Sequence, residues 1–449
     1  MTKRCSVLLA LLVAYGGAGF GESLGIAQQS LAAQTPALDS LLVAAERHWP
    51  ELAQRKAETR AATARAGEAA RAFRPNVSVG GTYTLAAGGR AIALPVGDLL
   101  NPVYTSLNGL TQTAAFPQID NVEEQFLPNN FYDARLRVSQ PIIDPTLRLQ
   151  RELAGAGVQA AAAATDVSRQ VLTYRVRQAY FQAVQAREAT AIYVVADSVL
   201  AEALRTTRSL IRNGAGLPLA RERLLAERAQ LTARAAAADA RLANAEAQLA
   251  YLTGEERVLA ARVSEPPNLP IDDAGIARAE LEQLDAALRG KDAELAIEDR
   301  FRAPRLGAQL DVGSQDFDFG LQPYALVGLN LEVPLYDGGR VRERRARLRA
   351  EREATVAQRD GALRGFRLQA AVARNDFAAA RTALDAYVPA VDAAERTLRD
   401  ATRLYRAGSS SYLELLDARA QVTRVRLEES VARADTWLRY VAWLYAVAR

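Results

Sequence analysis

The chain has 449 residues, with 56 basic and 52 acidic side chains, a formal charge of +4 and only 6% aromatic residues. Ala and Arg dominate, and the two signs of charge are interleaved, a composition of long helices and coiled coils that excludes a set of ordinary globular domains. A charge excess this small excludes a nucleic-acid footprint. One histidine and one cysteine supply no donor set for zinc, and no P-loop pattern is present, so no metal, no cofactor and no enzyme activity is expected.

Residues 1–33 read as a secretory signal. Lys3 and Arg4 precede the apolar run Val7–Tyr15, which is too short to span a membrane, and small residues follow it. Cleavage fits after Gly19, Ala27 or Ala33. Cys5 lies inside the signal, so the mature chain is expected to carry no thiol. No later apolar run approaches the ~18 residues of a transmembrane helix. A membrane span in this chain therefore has to be made of strands.

A first helix is expected over Leu38–Phe73, bent at Pro50, with His48 at the bend in a packing or surface role. The next segment alternates strictly. Val77, Val79, Gly81, Tyr83 and Leu85 point one way and Asn76, Ser78, Thr82 and Thr84 the other, the pattern of a strand with one apolar face. A long loop rich in Gly, Pro and Asn follows over Ala86–Asn130. The second strand, Phe131–Ile142, sends Tyr132, Ala134, Leu136 and Val138 to its apolar side and Asp133, Arg135, Arg137 and Ser139 to the other.

No proline occurs between Pro145 and Pro218, which predicts a helix of about seventy residues, ~100 Å long. A returning helix over Leu219–Leu252 ends at Gly254. A linker with Pro266, Pro267 and Pro270 separates this half from the next. In the second half, Leu306, Ala308, Leu310 and Val312 oppose Arg305, Gly307, Gln309 and Asp311. Ala325, Val327, Leu329, Leu331 and Val333 then oppose Tyr324, Asn330 and Glu332, with Leu326 the misfit. A second helical hairpin follows over Gly339–Ala407 and Tyr412–Ala446, with a kink expected at Pro389.

The two halves repeat one another. FYDARLRVSQPIID (Phe131–Asp144) returns as GLNLEVPLYD (Gly328–Asp337), placing Pro141 and Pro334 193 positions apart. The turn RNGAGLP (Arg212–Pro218) returns as RAGSSS (Arg406–Ser411), placing Gly214 and Gly408 194 apart. The expected domains are residues 34–254 as the first repeat, 255–273 as linker and 274–449 as the second repeat. Helices this long and this poor in large apolar residues need partners at close approach, which favours an oligomer. Strand alternation alone fits two situations: water and lipid on opposite faces, or a half-buried sheet over a soluble core.

The order of elements, the strand ends SQPIID and EVPLYDGGR, and the segment YRAGSSSYLELLDARAQ (Tyr405–Gln421) resemble the TolC-type outer membrane efflux proteins over nearly the whole mature chain. The resemblance implies an α+β membrane protein. Its homotrimer shares a twelve-stranded β-barrel, four strands per chain, continued by a helical tunnel across the periplasm. It further implies an adaptor (membrane fusion) protein docked at the far end, an inner-membrane transporter behind it, and outer-membrane lipid around the barrel. By the same resemblance, Tyr405, Glu414 and Asp417 stand at a periplasmic gate. Trimerised, Glu414 and Asp417 would set six carboxylates around a narrow mouth, answered if at all by Arg403, Arg406 or Arg212. Gly214, Gly216, Pro218, Gly408, Ser409 and Ser410 form the turns expected to dock the adaptor, and Glu222 is the nearest acid of the first turn. Asp133, Arg135, Arg137, Gln309, Asp311 and Glu332 are expected to line a wet barrel lumen. The competing function is a periplasmic coiled-coil tether or adaptor without a barrel, whose strands would lie over a soluble core.

Overall fold

The computed structural model describes residues 36–125, 127, 130–214, 218–255, 266–269, 275–317, 319–407 and 409–448. The expected signal peptide with Cys5, most of the linker, and the turn glycines Gly216 and Gly408 lie outside these residues. In chain order the elements are α1 (Pro36–His48), α2 (Pro50–Arg71), β1 (Asn76–Thr84), β2 (Ala91–Leu94), α3 (Val96–Thr111), β3 (Val122–Gln125) and β4 (Phe131–Ile143). There follow α4 (Pro145–Arg212), α5 (Pro218–Thr253), α6 (Ala279–Asp299), β5 (Arg305–Asp316), β6 (Pro323–Glu332), α7 (Arg340–Arg406) and α8 (Tyr412–Val447). They form two compact units. Among the described residues no helix is long and apolar enough to cross a membrane.

One unit holds residues 64–155 and 289–352 and contains the sheet. Four antiparallel strands run in the order β1-β4-β5-β6. The register places Val79 opposite Leu136, Leu136 opposite Val312 and Leu310 opposite Val327, so the apolar sets expected on each strand share one face. That face is bare. Val79 is 83% exposed and Val327 76%, while among the described residues β1 and β6 each leave one edge without a partner strand. Residues 86–130 are not the plain loop that their Pro and Asn content suggests: α3 lies there between the paired strands β2 and β3. The asparagines act as anchors instead of breakers. Asn101 donates to Ile119 O (2.8 Å) and accepts from Ile119 N (2.9 Å), and Asn108 clasps Phe116 in the same two-way manner. Pro102 is the seventh residue of α3, past the free N–H groups of the first turn, so it removes the bond that a backbone N–H there would make to Asp98 O.

The other unit holds the described residues up to 63, together with 156–288 and 353–449. The buried positions of α5 include Leu224, Leu231, Ala238, Ala245 and Leu252, a seven-residue repeat. On α8 they include Leu415, Ala418, Val422 and Val425, then Ala434, Trp437, Val441 and Leu444, in alternating steps of three and four. Both series are coiled-coil seams, and the alanines in them let neighbouring helices approach closely. The main core gathers α1, α2, α4, α5, α7 and α8. Phe181 of α4 stacks on Trp437 of α8 with ring centroids 4.8 Å apart, and Tyr180 and Tyr440 are fully buried beside them. Each of these aromatics removes enough apolar area from water to contribute about 2–3 kcal/mol.

The bend expected at Pro50 is a break between α1 and α2 at Trp49. Across from it, Gly254 ends the α5 segment with φ +74°, and a Cβ there would stand 2.4 Å from the His48 ring. The one histidine thus packs on a glycine. Pro389 lies inside α7, which continues as helix on both sides of it.

Two stability outcomes follow from this packing. Trp437→Ala should cost about 3–5 kcal/mol through the cavity it leaves, read as an earlier loss of helical signal in denaturant. Gly254→Ala should cost about 1–2 kcal/mol from its left-handed backbone, with His48→Ala relieving only the part due to the clash.

Candidate functional site: the hairpin turns and the polar face of the sheet

Ser411 begins α8. Its side chain accepts from Glu414 N (3.3 Å), satisfying one of the free donors of the first turn. Ser410 donates its hydroxyl to the Glu414 carboxylate, and Ser409 N bonds Leu404 O at 2.9 Å, closing the turn onto the end of α7. Tyr405 meets Tyr412 edge to face at 5.4 Å. Tyr412 in turn packs against a cluster of Leu200, Ala203, Leu204, Leu224, Leu231 and Leu416, where burial pushes its phenol above the ordinary range. The tip of the second hairpin is therefore seated on the first.

Glu414 and Asp417 are both exposed, one turn apart at the start of α8. Of the arginines expected to answer them, Arg403 pairs with Asp400 at 3.0 Å instead, and the Arg406 side chain lies outside the described residues. No ion pair to Glu414 or Asp417 is present among the described residues, so both charges remain available to a partner. A carboxylate near a helix N-terminus is favoured by the helix dipole. At the first turn Gly214 adopts φ +72°, the left-handed conformation of a helix C-cap, and Pro218 occupies the opening position of α5, where its missing N–H costs nothing. Glu222 is taken up by its neighbour Arg221 at 2.8 Å.

Above this turn a cleft of about 600 Å³ opens between the two hairpins, with Tyr193, Val199 and Leu398 among its apolar walls and Glu395, Arg399 and Arg426 among its charged ones. Arg228 of α5 braces α4 nearby by a two-pronged contact with Asp197, 2.8 and 3.1 Å. That hydrogen bond holds the Asp197 carboxyl below the usual carboxylate range.

On the sheet, the residues expected in the lumen share the face opposite the apolar one and bond to one another. Arg137 Nε and Nη2 donate to the two oxygens of Asp311, both at 2.8 Å, and Gln309 adds a third bond to Asp311 at 2.8 Å. Arg135 pairs with Asp133 at 3.0 Å, and Tyr324 donates its hydroxyl to Asp133 at 2.8 Å. A Cβ at Gly313 would fall 2.5 Å from Ala134 O and 2.9 Å from Arg135 Cβ, so a glycine is what lets β5 lie against Arg135. Glu332 stands opposite Arg305 in the register and is exposed. The alternation identified the members of this face, but their cross-strand pairing depends on register, which the sequence pattern leaves free. Next along the loop end of the sheet is an aromatic group. Phe319 stacks on Tyr83 (5.5 Å) and on Tyr132 (5.7 Å), all at the margin of the apolar face. Such rings settle at the boundary between lipid and water.

Three comparisons with known proteins bear on this arrangement. The profile of the family described as outer membrane efflux protein matches residues 270–446. The fold is similar to the outer-membrane channel OprN, at 20% identity and a TM-score of 0.73, over 92% of this chain and 90% of that one. It is also similar to the outer membrane protein VceC of Vibrio cholerae (17% identity, TM-score 0.70, 91% and 95% covered). The CmeC outer membrane channel of Campylobacter jejuni is a third (14%, 0.72, 99% and 94%). No curated protein matches the sequence.

Acid should loosen the α4–α5 brace. The depressed Asp197 pKa means its contribution is complete above the unfolded value near 4 and is lost as pH falls through the lower folded value. Because both partners are part-exposed, the effect should stay below about 1 kcal/mol. Protection from hydrogen exchange across residues 190–235, taken against the intrinsic rate at each pH, should fall below about pH 4 in the native protein and stay level there in Asp197→Asn.

Proposed function

We infer how this chain works from one premise: through residues 270–446 it belongs to the outer membrane efflux protein family. It is a non-enzymatic efflux channel of the outer membrane, with its helical part in the periplasm. The observation that carries the reading is the sheet. An apolar face left bare and two edge strands without partners are what a segment of a lipid-embedded barrel needs, and lipid tolerates no open edge. A soluble tether would cover that face with its own residues.

Three copies of this chain close the sheet into twelve strands, each adding β1-β4-β5-β6, with β6 of one copy against β1 of the next. The tandem repeats 34–254 and 274–449, joined by the linker 255–273, then supply two hairpins per copy. The polar ladder of Asp133, Arg135, Arg137, Gln309 and Asp311, with Glu332, faces the lumen. Its internal pairing leaves little net field there, so charge selection falls to another point along the path.

That point is the turn at the start of α8. Tyr405, Glu414 and Asp417 form the periplasmic gate, with the serine cap holding Glu414 in place, Tyr405 meeting Tyr412 across the turn, and the packing of Tyr412 on Leu200, Leu204 and Leu224 tying the turn to the first hairpin. Three copies place six carboxylates close together, and their mutual repulsion opposes closure while favouring cations in the opening. The turns carrying Gly214, Gly216 and Pro218, and Gly408, Ser409 and Ser410, dock a periplasmic adaptor protein, which couples the duct to an inner-membrane transporter. Movement through the duct itself is passive.

Single-channel recording in planar bilayers tests the gate. The purified protein should form cation-preferring channels, and the double variant Glu414→Gln with Asp417→Asn should lose most of that preference while still inserting. Unchanged selectivity and conductance would remove the gate assignment. Ser411→Ala should destabilise the first turn of α8 by about 1 kcal/mol and raise the frequency of brief openings.

A further inference from the structure

We propose that arginines at the four strand–helix junctions form a collar that binds the phosphates of anionic phospholipids in the periplasmic leaflet of the membrane. The junctions lie along one edge of the sheet. The register pairs Asn76 with Ser139, Ile143 with Leu306 and Arg305 with Glu332, so β1 begins, β4 ends, β5 begins and β6 ends together. Each junction carries arginine: Arg71 and Arg74 before β1, Arg151 after β4, Arg300 and Arg302 before β5, and Arg342 after β6. All six are exposed. Among the described residues the nearest ion pair to any of them is Arg342 with Glu343, at 3.9 Å and fully in solvent.

Most of the neighbouring acids are already engaged, the exposed Glu68 and Glu332 being the exceptions. Asp144 accepts from Thr146 N and Oγ1, Glu152 pairs with Arg148, Glu298 with Arg344, and Asp299 with Arg345. Asp337 accepts from the N–H groups of Gly339 and Val341 at the start of α7. What these pairings leave at this edge is an excess of guanidinium, six exposed arginines against the carboxylates of Glu68 and Glu332. The loop end of the same unit has the opposite bias, with exposed Asp98, Asp120, Glu123 and Glu124.

The edge is also apolar where it meets the bare sheet face. Ile142, Ile143, Leu335 and Tyr336 are exposed in the same junction segments as the arginines. A ring, three aliphatic side chains and a row of cations at the margin of a lipid-facing surface match the headgroup layer in chemistry and in order. The arginine stems lie along acyl chains while the guanidinium reaches the phosphate, which it can grip with two hydrogen bonds. Anionic headgroups add the charge complementarity that zwitterionic ones lack.

The proposal rests on the barrel reading, which the envelope position of the protein tests separately. The experiment uses the detergent-purified assembly in mixed micelles of equal phosphatidylglycerol and phosphatidylcholine, with bound lipid counted by native mass spectrometry. Phosphatidylglycerol should be enriched at least threefold over phosphatidylcholine. The variant carrying Arg74→Gln, Arg151→Gln, Arg302→Gln and Arg342→Gln should lose the enrichment. A control with Arg241→Gln, Arg364→Gln, Arg367→Gln and Arg396→Gln, the same charge change on exposed helix positions of the other unit, should keep it. Equal binding of the two lipids by the unmodified protein overturns the proposal, as does retained enrichment in the junction variant. A junction variant that still folds but no longer assembles overturns it too, because the arginines would then face a second copy of the chain.

Discussion

A four-stranded sheet with a bare apolar face and two open edges cannot stand by itself in either water or lipid. In water the exposed valines and leucines of β1, β4, β5 and β6 would seek cover. In lipid the unpaired N–H and C=O groups of β1 and β6 would each cost several kcal/mol. Closure by further copies of the chain answers both demands at once, and the rest of the molecule is arranged around it. The polar ladder from Arg137–Asp311 to Tyr324–Asp133 satisfies the face turned from lipid, and the aromatic stack of Tyr83, Tyr132 and Phe319 marks one end of the apolar band.

The helical unit solves a different problem. Long helices with few large apolar residues gain little from a thick core, so they gain from close approach instead. Alanines at coiled-coil seam positions on α5 and α8 allow this, and large rings are concentrated where α1, α4 and α8 meet, around Phe181, Trp437 and Tyr440. The same economy holds at the hairpin tips. Tyr412 and a few leucines seat the second turn on the first, leaving Glu414 and Asp417 exposed in front of them. A rigid seat beneath exposed charges suits a gate, because the charges can then respond to a partner or to one another without the hairpin unwinding.

Much of this was legible in the sequence. Period-two alternation located the four strands of the larger sheet and sorted their faces, since one side must be apolar, but it missed β2 and β3 in the expected loop. The absence of proline over long spans located the helices. The repeated Gly turns and the QP and VP strand ends are what the expected duplication rests on. Three things were harder to see. The helix α3 was hidden because Asn101, Asn108 and Pro102 count as loop formers, and their bonds to Ile119 and Phe116 exist only once the segment is folded back. The pairing of Arg137 with Asp311 is 174 residues distant and follows from register, which a pattern of period two leaves undetermined. The choice of Asp400 by Arg403 in place of Glu414 and Asp417 is a matter of helix geometry, three residues along one face. The heptad spacing of Leu224, Leu231, Ala238, Ala245 and Leu252 is also present in the sequence, but the abundance of alanine off the seam hides it until the buried positions are known.

Closure of the barrel by three chains is the claim on which the gate, the lumen and the lipid collar all depend. Envelope fractionation followed by the native mass of the detergent-extracted protein tests it most directly. The account predicts a particle of three chains, extracted from the outer-membrane fraction only by detergent. A monomer or dimer released without detergent would contradict it, because the apolar face of the sheet would then have to be covered by something other than lipid.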